Sequence, residues 1–160
     1  MGRLLTRVLV GVLVTVIAVA TVFLLGMRRS SPAVQDRVRR FNRAVTNPRV
    51  LRSAGTPGAS ASVLHHVGRM SGRQYETPVG PTDVDGGFVI ALPYGPGADW
   101  VRNVLASGSA TLVHEGRTVA VHQPEVVATT EVVGDLPASE RRTLRLFGVD
   151  QCLRLRLVPG

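Results

Sequence analysis

The sequence predicts a mainly β protein of the α+β class, a small antiparallel barrel with two or three helices that follows an N-terminal transmembrane helix. Short, partly β-branched runs separated by turns follow one another from residue 61 onward, which is typical of β-strands. Hairpin signals join neighbouring runs, so the strands are expected to pair antiparallel. Residues 8–25 are apolar and uncharged over a length that suits a lipid bilayer.

Composition limits the classes of protein that the chain can belong to. A length of 160 residues allows one ordinary domain plus an appendage. The net charge is +8 and all nineteen basic residues are arginine, but many of them crowd beside the apolar segment, so we expect no nucleic-acid partner. The single cysteine, Cys152, excludes an intramolecular disulfide and a cysteine-rich zinc site. The four histidines lack a ligand-like spacing, so no metal site is predicted.

The apolar segment Val8–Leu25 predicts a membrane anchor, and residues 1–30 form the first unit of the chain. Its eighteen residues would span roughly 27 Å as a helix, close to the thickness of a hydrocarbon core. A cleavable signal peptide is the rival interpretation, because Ala18-Val19-Ala20 resembles a cleavage site. The apolar run continues beyond this site to Leu25, which favours an uncleaved anchor.

Arginines on the two sides of the segment predict its orientation. Two precede it, and six follow within twenty residues. By the positive-inside rule the protein is a single-pass membrane protein whose C-terminal domain lies in the cytoplasm.

Residues 31–60 are expected to form an amphipathic helix and a linker. Ser31-Pro32 is a typical helix start, and an apolar stripe runs from Val34 to Val45. Asn47-Pro48 is expected to end this helix, and residues 53–60 form the linker. The stripe could lie on the anionic inner leaflet or pack on the domain, and the sequence leaves both open.

Residues 61–160 are expected to form the barrel domain. Val84-Asp85-Gly86-Gly87 and Glu115-Gly116 are the two hairpin signals. The helices predicted are Asp99–Ser107, with Val101, Val104 and Leu105 inward, and roughly Pro137–Phe147. The strands predicted are Ala61–Val67, Tyr75–Pro81, Phe88–Leu92, Thr111–Val113, Thr118–His122, Val126–Val133 and the run from Leu153 to Leu157.

The turn Gly68-Arg69-Met70-Ser71-Gly72-Arg73 contains groups that bind anions. Backbone N–H groups, a serine hydroxyl and two guanidinium groups suit a phosphate or a carboxylate. It is not a Walker A loop, because the Gly-Lys-Ser/Thr ending and a parallel β–α context are missing. On its own, such a turn is more often simply solvated.

Three further segments follow the turn in order: "YETPVG", "DGGFVIALPYG" and "DWVRNVLASG". Together with "GRMSG" they resemble the deazaflavin-dependent nitroreductase family over roughly residues 34–127. The resemblance implies a split β-barrel like that of the flavin-binding pyridoxamine-phosphate oxidases. It also implies that the protein binds the 8-hydroxy-5-deazaflavin coenzyme F-420 and passes a hydride from the reduced ring to an acceptor.

The resemblance implies coenzyme-binding residues in four places and assigns no catalytic residue. The turn would contact the phosphate-bearing tail, the strand after it would run past the tail, the segment after the second hairpin would lie against the ring, and the next helix start would close the pocket. In order, these residues are Arg69, Met70, Ser71, Gly72 and Arg73; Tyr75, Pro78, Val79 and Gly80; Ala91, Leu92, Pro93 and Tyr94; and Asp99, Trp100, Arg102 and Asn103.

The function expected is therefore a deazaflavin-dependent oxidoreductase that reduces a lipophilic acceptor such as a quinone or a nitroaromatic. The chain departs from the family at Met70, where members often carry a basic residue, and it lacks the tyrosines that some members place near the C-terminus. Two alternatives stay open: a non-catalytic lipid- or cofactor-binding module and a flavin mononucleotide-dependent enzyme. The partners expected are a small-molecule acceptor, membrane lipids contacting the anchor and, since related barrels are commonly dimers, a second copy of the chain.

Overall fold

The structure is a computed structural model that describes residues 47–159. Seven strands and four helices follow one another in it. The strands are β1 Ser62–Val67, β2 Gln74–Val79, β3 Pro81–Val84, β4 Gly87–Ala91, β5 Ser109–His114, β6 Arg117–Ala128 and β7 Gln151–Leu157. The helices are α1 Asn47–Val50, α2 Asp99–Ser107, α3 Thr129–Val132 and α4 Ala138–Phe147. The predicted anchor, its orientation and the helix from Ser31 lie outside these residues.

All seven strands form one antiparallel sheet in the order β2-β1-β5-β6-β7-β4-β3. The sheet is curled, since His114 of β5 contacts two strands near the far end of this order. Its Nε2 lies 3.0 Å from Asp83 Oδ2 of β3, and its ring packs edge-on against Phe88 of β4 at 5.5 Å between centroids. The mainly β, antiparallel prediction is confirmed, and the sheet forms a half-barrel.

Two hydrophobic clusters lie on opposite faces of the sheet. Successive side chains of a strand point to opposite faces, so Phe88 and Ile90 of β4 enter one cluster while Val89 enters the other. The larger cluster fills the half-barrel under α2 and includes Leu64, Leu112 and Leu153. In the smaller cluster, Val132 and Leu144 bring α3 and α4 against the outer face. Strand β4 is therefore buried on both faces, whereas β7 is buried on its outer face only at Cys152.

Both predicted hairpins are present. Val84 pairs with Gly87 across the first, and Glu115 (φ 49°) and Gly116 (φ 74°) form the second in the left-handed region, the conformation that a tight hairpin turn requires. Helix α2 also has its predicted bounds. Gly108 ends it with a φ of 72°, and its N–H donates to Val104 O.

Three predictions about individual elements are wrong. Tyr75–Pro81 is not one strand, because β2 pairs with β1 and the chain leaves it at Gly80 to start β3 against β4. A proline is tolerated at the start of such an edge strand. Residues 129–132 are helical, so the strand expected up to Val133 stops at Ala128. Asn47-Pro48 lies in α1, and the end of the helix expected from Ser31 stays a prediction, since that helix lies outside the described residues.

The third wrong prediction concerns the buried side of α2. Leu105 was expected to point inward but is 39% exposed. The buried side chains are Val101, Val104 and Asn103. The buried arc of α2 is therefore shifted toward Asn103, a polar residue that an apolar pattern does not select.

Candidate functional site

A cleft of about 790 Å³ lies between the β1–β2 turn, strand β2 and the first half of α2. This volume is in the range of small-molecule and cofactor sites. The cleft brings together segments that are about thirty residues apart in sequence. Its lining residues are Asn47, His66, Gly68, Arg69, Met70, Ser71, Tyr75, Glu76, Thr77, Pro78, Tyr94, Gly97, Ala98, Asp99, Trp100, Arg102 and Asn103.

The turn between β1 and β2 depends on two glycines. The Gly68 N–H donates to Arg73 O at 2.8 Å, and the Gly72 N–H donates to Gly68 O at 2.8 Å. Gly72 has a φ of 65°, which glycine adopts without steric cost. A Cβ on Gly68 would lie 2.6 Å from both Ser71 Oγ and Tyr75 Cε2. The two glycines therefore allow the turn to fold closely over the end of β2.

Arg69 points toward α2. Its guanidinium donates from Nη1 to Asn103 Oδ1 at 2.9 Å and pairs through Nη2 with Asp99 Oδ1 at 3.3 Å. The backbone N–H of Arg69 donates to the same Asn103 oxygen at 3.2 Å. The charge of Arg69 is thus paired with a carboxylate, and its side chain fixes the turn to the helix, while its contact with a coenzyme tail stays a prediction.

Asn103 and His66 form a buried polar pair beneath the cleft, and each is 6% exposed. Asn103 Nδ2 lies 3.3 Å from His66 Nδ1, and His66 Nε2 lies 3.0 Å from Thr77 Oγ1. Burial lowers the pKa of His66, and the neighbouring His65 lowers it further. The imidazole is therefore held neutral.

Tyr75 forms one wall of the cleft. Its ring stacks on His66 at 5.8 Å between centroids, and its hydroxyl lies 3.3 Å from Ser71 Oγ. The Arg73 guanidinium lies 5.9 Å from the centre of the Tyr75 ring, a cation–π distance. The turn thus presents a flat aromatic surface next to its polar groups.

The start of α2 forms the opposite side of the cleft. Ala98 occupies the N-cap position, and its side chain makes no capping hydrogen bond. Free N–H groups at a helix N-terminus attract anions, and Gly97, Ala98, Asp99 and Trp100 all line the cleft here. One turn further on, Arg102 also lines it. Among residues 47–159 no ion-pair or hydrogen-bond partner meets its guanidinium.

The structure brings together ten of the seventeen predicted site residues. Those lining the cleft are Arg69, Met70, Ser71, Tyr75, Pro78, Tyr94, Asp99, Trp100, Arg102 and Asn103. The others predicted, which do not line it, are Gly72, Arg73, Val79, Gly80, Ala91, Leu92 and Pro93.

Some of these seven residues have structural positions instead. Val79 and Leu92 are buried in the larger hydrophobic cluster, so they do not form walls of the cleft. Ala91 packs against the smaller cluster on the other face of the sheet. Because successive side chains of a strand point to opposite faces of the sheet, neighbouring residues cannot all face a site on one side. Pro93 is exposed outside the cleft.

Sequence reasoning missed several lining residues. His66 and Thr77 are the most consequential, because they connect the buried Asn103 to the cleft. The signal for His66 was the adjacent pair His65-His66, whose members must face opposite sides of a strand. Glu76 adds a carboxylate to the lining and lies 3.6 Å from His65 Nδ1. The remaining missed residues are Asn47, Gly68, Gly97 and Ala98.

A Ser/His/Asp set that sequence reasoning did not detect lies elsewhere. Ser62 Oγ is 2.6 Å from His114 Nδ1, and His114 Nε2 is 3.0 Å from Asp83 Oδ2. Ser62 is only 2% exposed and does not line the cleft, so its hydroxyl has no access to a substrate. The set instead links β1, β5 and β3 where the sheet curls. Within residues 47–159, no group of three His, Cys, Asp or Glu side chains is arranged to hold a metal ion.

The fold and the cleft together define a small antiparallel β half-barrel that carries a lateral cleft. No protein-family model and no curated protein sequence matches the chain. Its fold is similar to solved structures at low identity. One is an F420-H2-dependent reductase (FDR-A), 11% identical, with a TM-score of 0.39 over 61% of this chain and 94% of that chain.

Two further solved structures are similar to a comparable degree. A domain-swapped dimer is 14% identical, with a TM-score of 0.45 over 79% of this chain and 100% of that chain. A heme-binding protein from Mycobacterium smegmatis is 14% identical, with a TM-score of 0.44 over 67% of this chain and 50% of that chain.

Proposed function

We propose that the cleft binds the deazaflavin coenzyme F-420 and that the protein is an oxidoreductase that uses it. The observation that carries the proposal is that three segments distant in sequence meet at one cleft. The turn "GRMSGR", the strand "YETP" and the helix start "DWVRN" bear the family resemblance, and all three line one cleft. Segments so far apart in sequence meet at one site only through the fold, and the cleft is of a size that suits a cofactor.

The residues of the cleft fit the chemistry of this coenzyme. Its tail is anionic, and such a group suits the start of α2 together with Arg102, whose guanidinium meets no partner among residues 47–159. Its ring is flat, and Tyr75, Pro78 and Trp100 supply aromatic and apolar surface. Ser71 adds a hydroxyl at the rim.

The reduced coenzyme supplies the hydride, so the protein needs to bind and orient the two reactants and to exclude water. For these tasks the cleft requires no nucleophile and no pair of carboxylates. The chain's contribution is the rigid frame of Arg69, Asn103 and His66, which fixes the turn against the helix.

We propose a lipophilic acceptor, a membrane quinone or a nitroaromatic, because Val8–Leu25 has the length and composition of a membrane anchor. An anchor would hold the cleft near lipid-borne molecules and raise their effective concentration. The six arginines after this segment support a cytoplasmic domain. In residues 47–159 no helix is long and apolar enough to cross a membrane. A homodimer is part of the same proposal.

The test compares two arginine variants of the full-length protein. Arg102→Ala removes this cation from the cleft and is expected to weaken coenzyme binding by about tenfold or more, since a charge-assisted contact contributes roughly 1.5–3 kcal/mol. Arg142→Ala removes an exposed arginine of α4 outside the cleft and should leave the affinity unchanged. Fluorescence titration measures both. Equal affinities would show that the tail does not bind here.

A second candidate function is a non-catalytic lipid- or cofactor-binding module. The observation that favours it is the limited free positive charge of the cleft. Arg69 is paired with Asp99, Met70 is 91% exposed at a place where the family often has a basic residue, and Glu76 adds a negative charge. Native mass spectrometry distinguishes the two, because a co-purifying lipid without turnover supports the module. A flavin absorption spectrum of the purified protein would instead indicate flavin mononucleotide.

A further inference from the structure

The orientation of the Asn103 amide follows from its contacts with Arg69. Two N–H groups of Arg69, the backbone amide and Nη1, point at one atom of that amide. Only an oxygen can accept from both donors, since an NH₂ group would face them with further protons. Asn103 therefore accepts from Arg69 through Oδ1 and presents its Nδ2 protons to His66.

The same reasoning fixes the tautomer of His66. Nδ1 faces the donating Nδ2 of Asn103 at 3.3 Å, so it must be the unprotonated, accepting nitrogen. In a neutral imidazole the proton is then on Nε2. Nε2–H donates to Thr77 Oγ1 at 3.0 Å. Arg69 thus sets the direction of each hydrogen bond in the series that runs through Asn103 and His66 to Thr77.

The Thr77 hydroxyl already accepts a hydrogen bond from His66 Nε2–H, so its own proton must point to another acceptor. In the part of the chain that the structure describes, no second partner meets this hydroxyl, and Thr77 lines the cleft. From this juxtaposition we infer that the Thr77 hydroxyl is a fixed hydrogen-bond donor of the cleft, which selects ligands with a carbonyl or phosphoryl oxygen at that point. The choice of test ligand rests on the proposed function, whereas the donor itself does not.

A donor of this kind acts as a specificity determinant. The hydroxyl cannot donate to His66, because Arg69 holds His66 in the state whose Nε2 carries the proton, so the hydroxyl proton remains available to a ligand. A ligand that lacks an acceptor at this point leaves a half-buried hydroxyl proton unpaired, which disfavours its binding.

The first arm of the test needs no ligand. Long-range ¹H–¹⁵N spectra of the full-length protein at pH 7.5 report which ring nitrogen of His66 carries the proton, and His66→Asn assigns the signals. We expect the Nε2–H tautomer. The Nδ1–H tautomer would reverse the direction of these hydrogen bonds and overturn the inference.

The second arm measures affinity for the deazaflavin coenzyme. Thr77→Val keeps the shape and removes the hydroxyl, and is expected to weaken binding roughly tenfold. Thr77→Ser keeps the hydroxyl and should restore the affinity, whereas a merely structural role would show itself in thermal stability alone. Thr118→Val, an exposed threonine of β6 outside the cleft, is the matched control. Unchanged affinity of Thr77→Val would overturn the inference.

A fragment of the coenzyme without its phosphodiester tail identifies the acceptor oxygen. If Thr77→Val weakens binding of the fragment as well, the acceptor is a ring carbonyl; if it weakens only the complete coenzyme, the acceptor is a phosphoryl oxygen. Absence of any binding by the unmutated protein would contradict the proposed function, and the tautomer of His66 would then decide the inference alone.

Discussion

At the scale of single residues, the site depends on Asn103, a buried amide that joins three structural elements. It accepts from Arg69 of the turn and contacts His66 of β1 while belonging to α2. Buried polar groups are stable only when they are hydrogen-bonded. The position of the turn is therefore coupled to the position of the helix through one side chain.

Arg69→Ala should destabilise the protein. It leaves the buried Asn103 oxygen without its guanidinium donor, which is expected to lower the free energy of unfolding by about 1–3 kcal/mol. Arg73→Ala is the control in the same turn. Its exposed guanidinium lies over Tyr75, and its loss should cost about 0.5–1 kcal/mol. Urea unfolding followed by Trp100 fluorescence measures both, and equal losses would contradict the role given to Arg69.

Acidification should destabilise the protein through His66. Because burial lowers the pKa of His66 in the folded state, the unfolded chain binds a proton more readily. The free energy of unfolding is then highest above the ordinary value of 6.5 and falls as pH decreases through that value toward the lowered folded pKa.

The His66→Asn variant keeps an acceptor for Asn103 but does not titrate, so its stability should depend less on pH over this interval. His65→Asn changes the more exposed neighbour and serves as the control. An unchanged pH profile in His66→Asn would mean that His66 does not contribute this dependence.

At this scale the sequence predicted the location of the site residues more accurately than their roles. Arg69, Asp99 and Asn103 were all expected at the site, but a guanidinium in a Gly-rich turn has the same sequence pattern whether it binds a ligand or a carboxylate of its own chain. His66 and Thr77 were missed because their importance comes from contacts across strands and with α2.

At the scale of elements, the close contact of β4 with β7 determines which residue can begin β4. Gly87 pairs with Arg156, and a Cβ at Gly87 would lie 2.0 Å from Leu155 O. Such a contact cannot be relieved by a side-chain rotation, because the atom that is met belongs to the backbone. The glycine of the hairpin signal is therefore needed for strand packing as well as for the turn.

Gly87→Ala is expected to destabilise the protein by about 1–3 kcal/mol, the usual effect of overpacking. Gly134→Ala is the matched control, because nothing lies within 4 Å of a Cβ there. Its effect should be near zero or slightly stabilising. Thermal unfolding monitored by circular dichroism compares the two variants. A neutral Gly87→Ala would show that β4 and β7 can separate at this point.

The elements that the sequence predicted well are those whose signals are local. The hairpins at Gly86 and Gly116 and the end of α2 at Gly108 depend on residues that tolerate a positive φ. The break at Gly80 and the helix at Thr129 were not predicted. The break at Gly80 depends on a change of partner strand, and the helix begins where the pairing of β6 with β7 ends. An apolar pattern along one strand does not reveal its partner.

At the scale of the whole molecule, the curl of the sheet brings together strands that lie far apart in its order. Ser62, His114 and Asp83 connect β1, β5 and β3. The order of the strands could not be read from the sequence, because hairpin signals specify neighbours along the chain only. The pairing of β6 with β7 and of β7 with β4 requires the complete fold.

The proposed anchor gives a prediction for the complete chain. Full-length protein should sediment with membranes and stay there in high salt, because removing an uncharged, mainly apolar segment of eighteen residues from lipid is costly. Deleting residues 1–30 should release the protein, while the triple substitution of Arg37, Arg39 and Arg40 by Gln serves as a control for electrostatic attachment. Sedimentation assays followed by immunoblotting measure the distribution. Salt-sensitive attachment of the full-length protein would contradict an integral anchor.

The central claim is that the cleft binds the deazaflavin coenzyme, and a fluorescence titration of the full-length protein tests it most directly. Trp100 is the only tryptophan of the chain and lines the cleft, so occupancy of the site should quench its emission. We expect saturable quenching with the deazaflavin coenzyme and none with flavin mononucleotide at the same concentrations. Quenching by flavin mononucleotide alone, or by neither compound, would contradict the account.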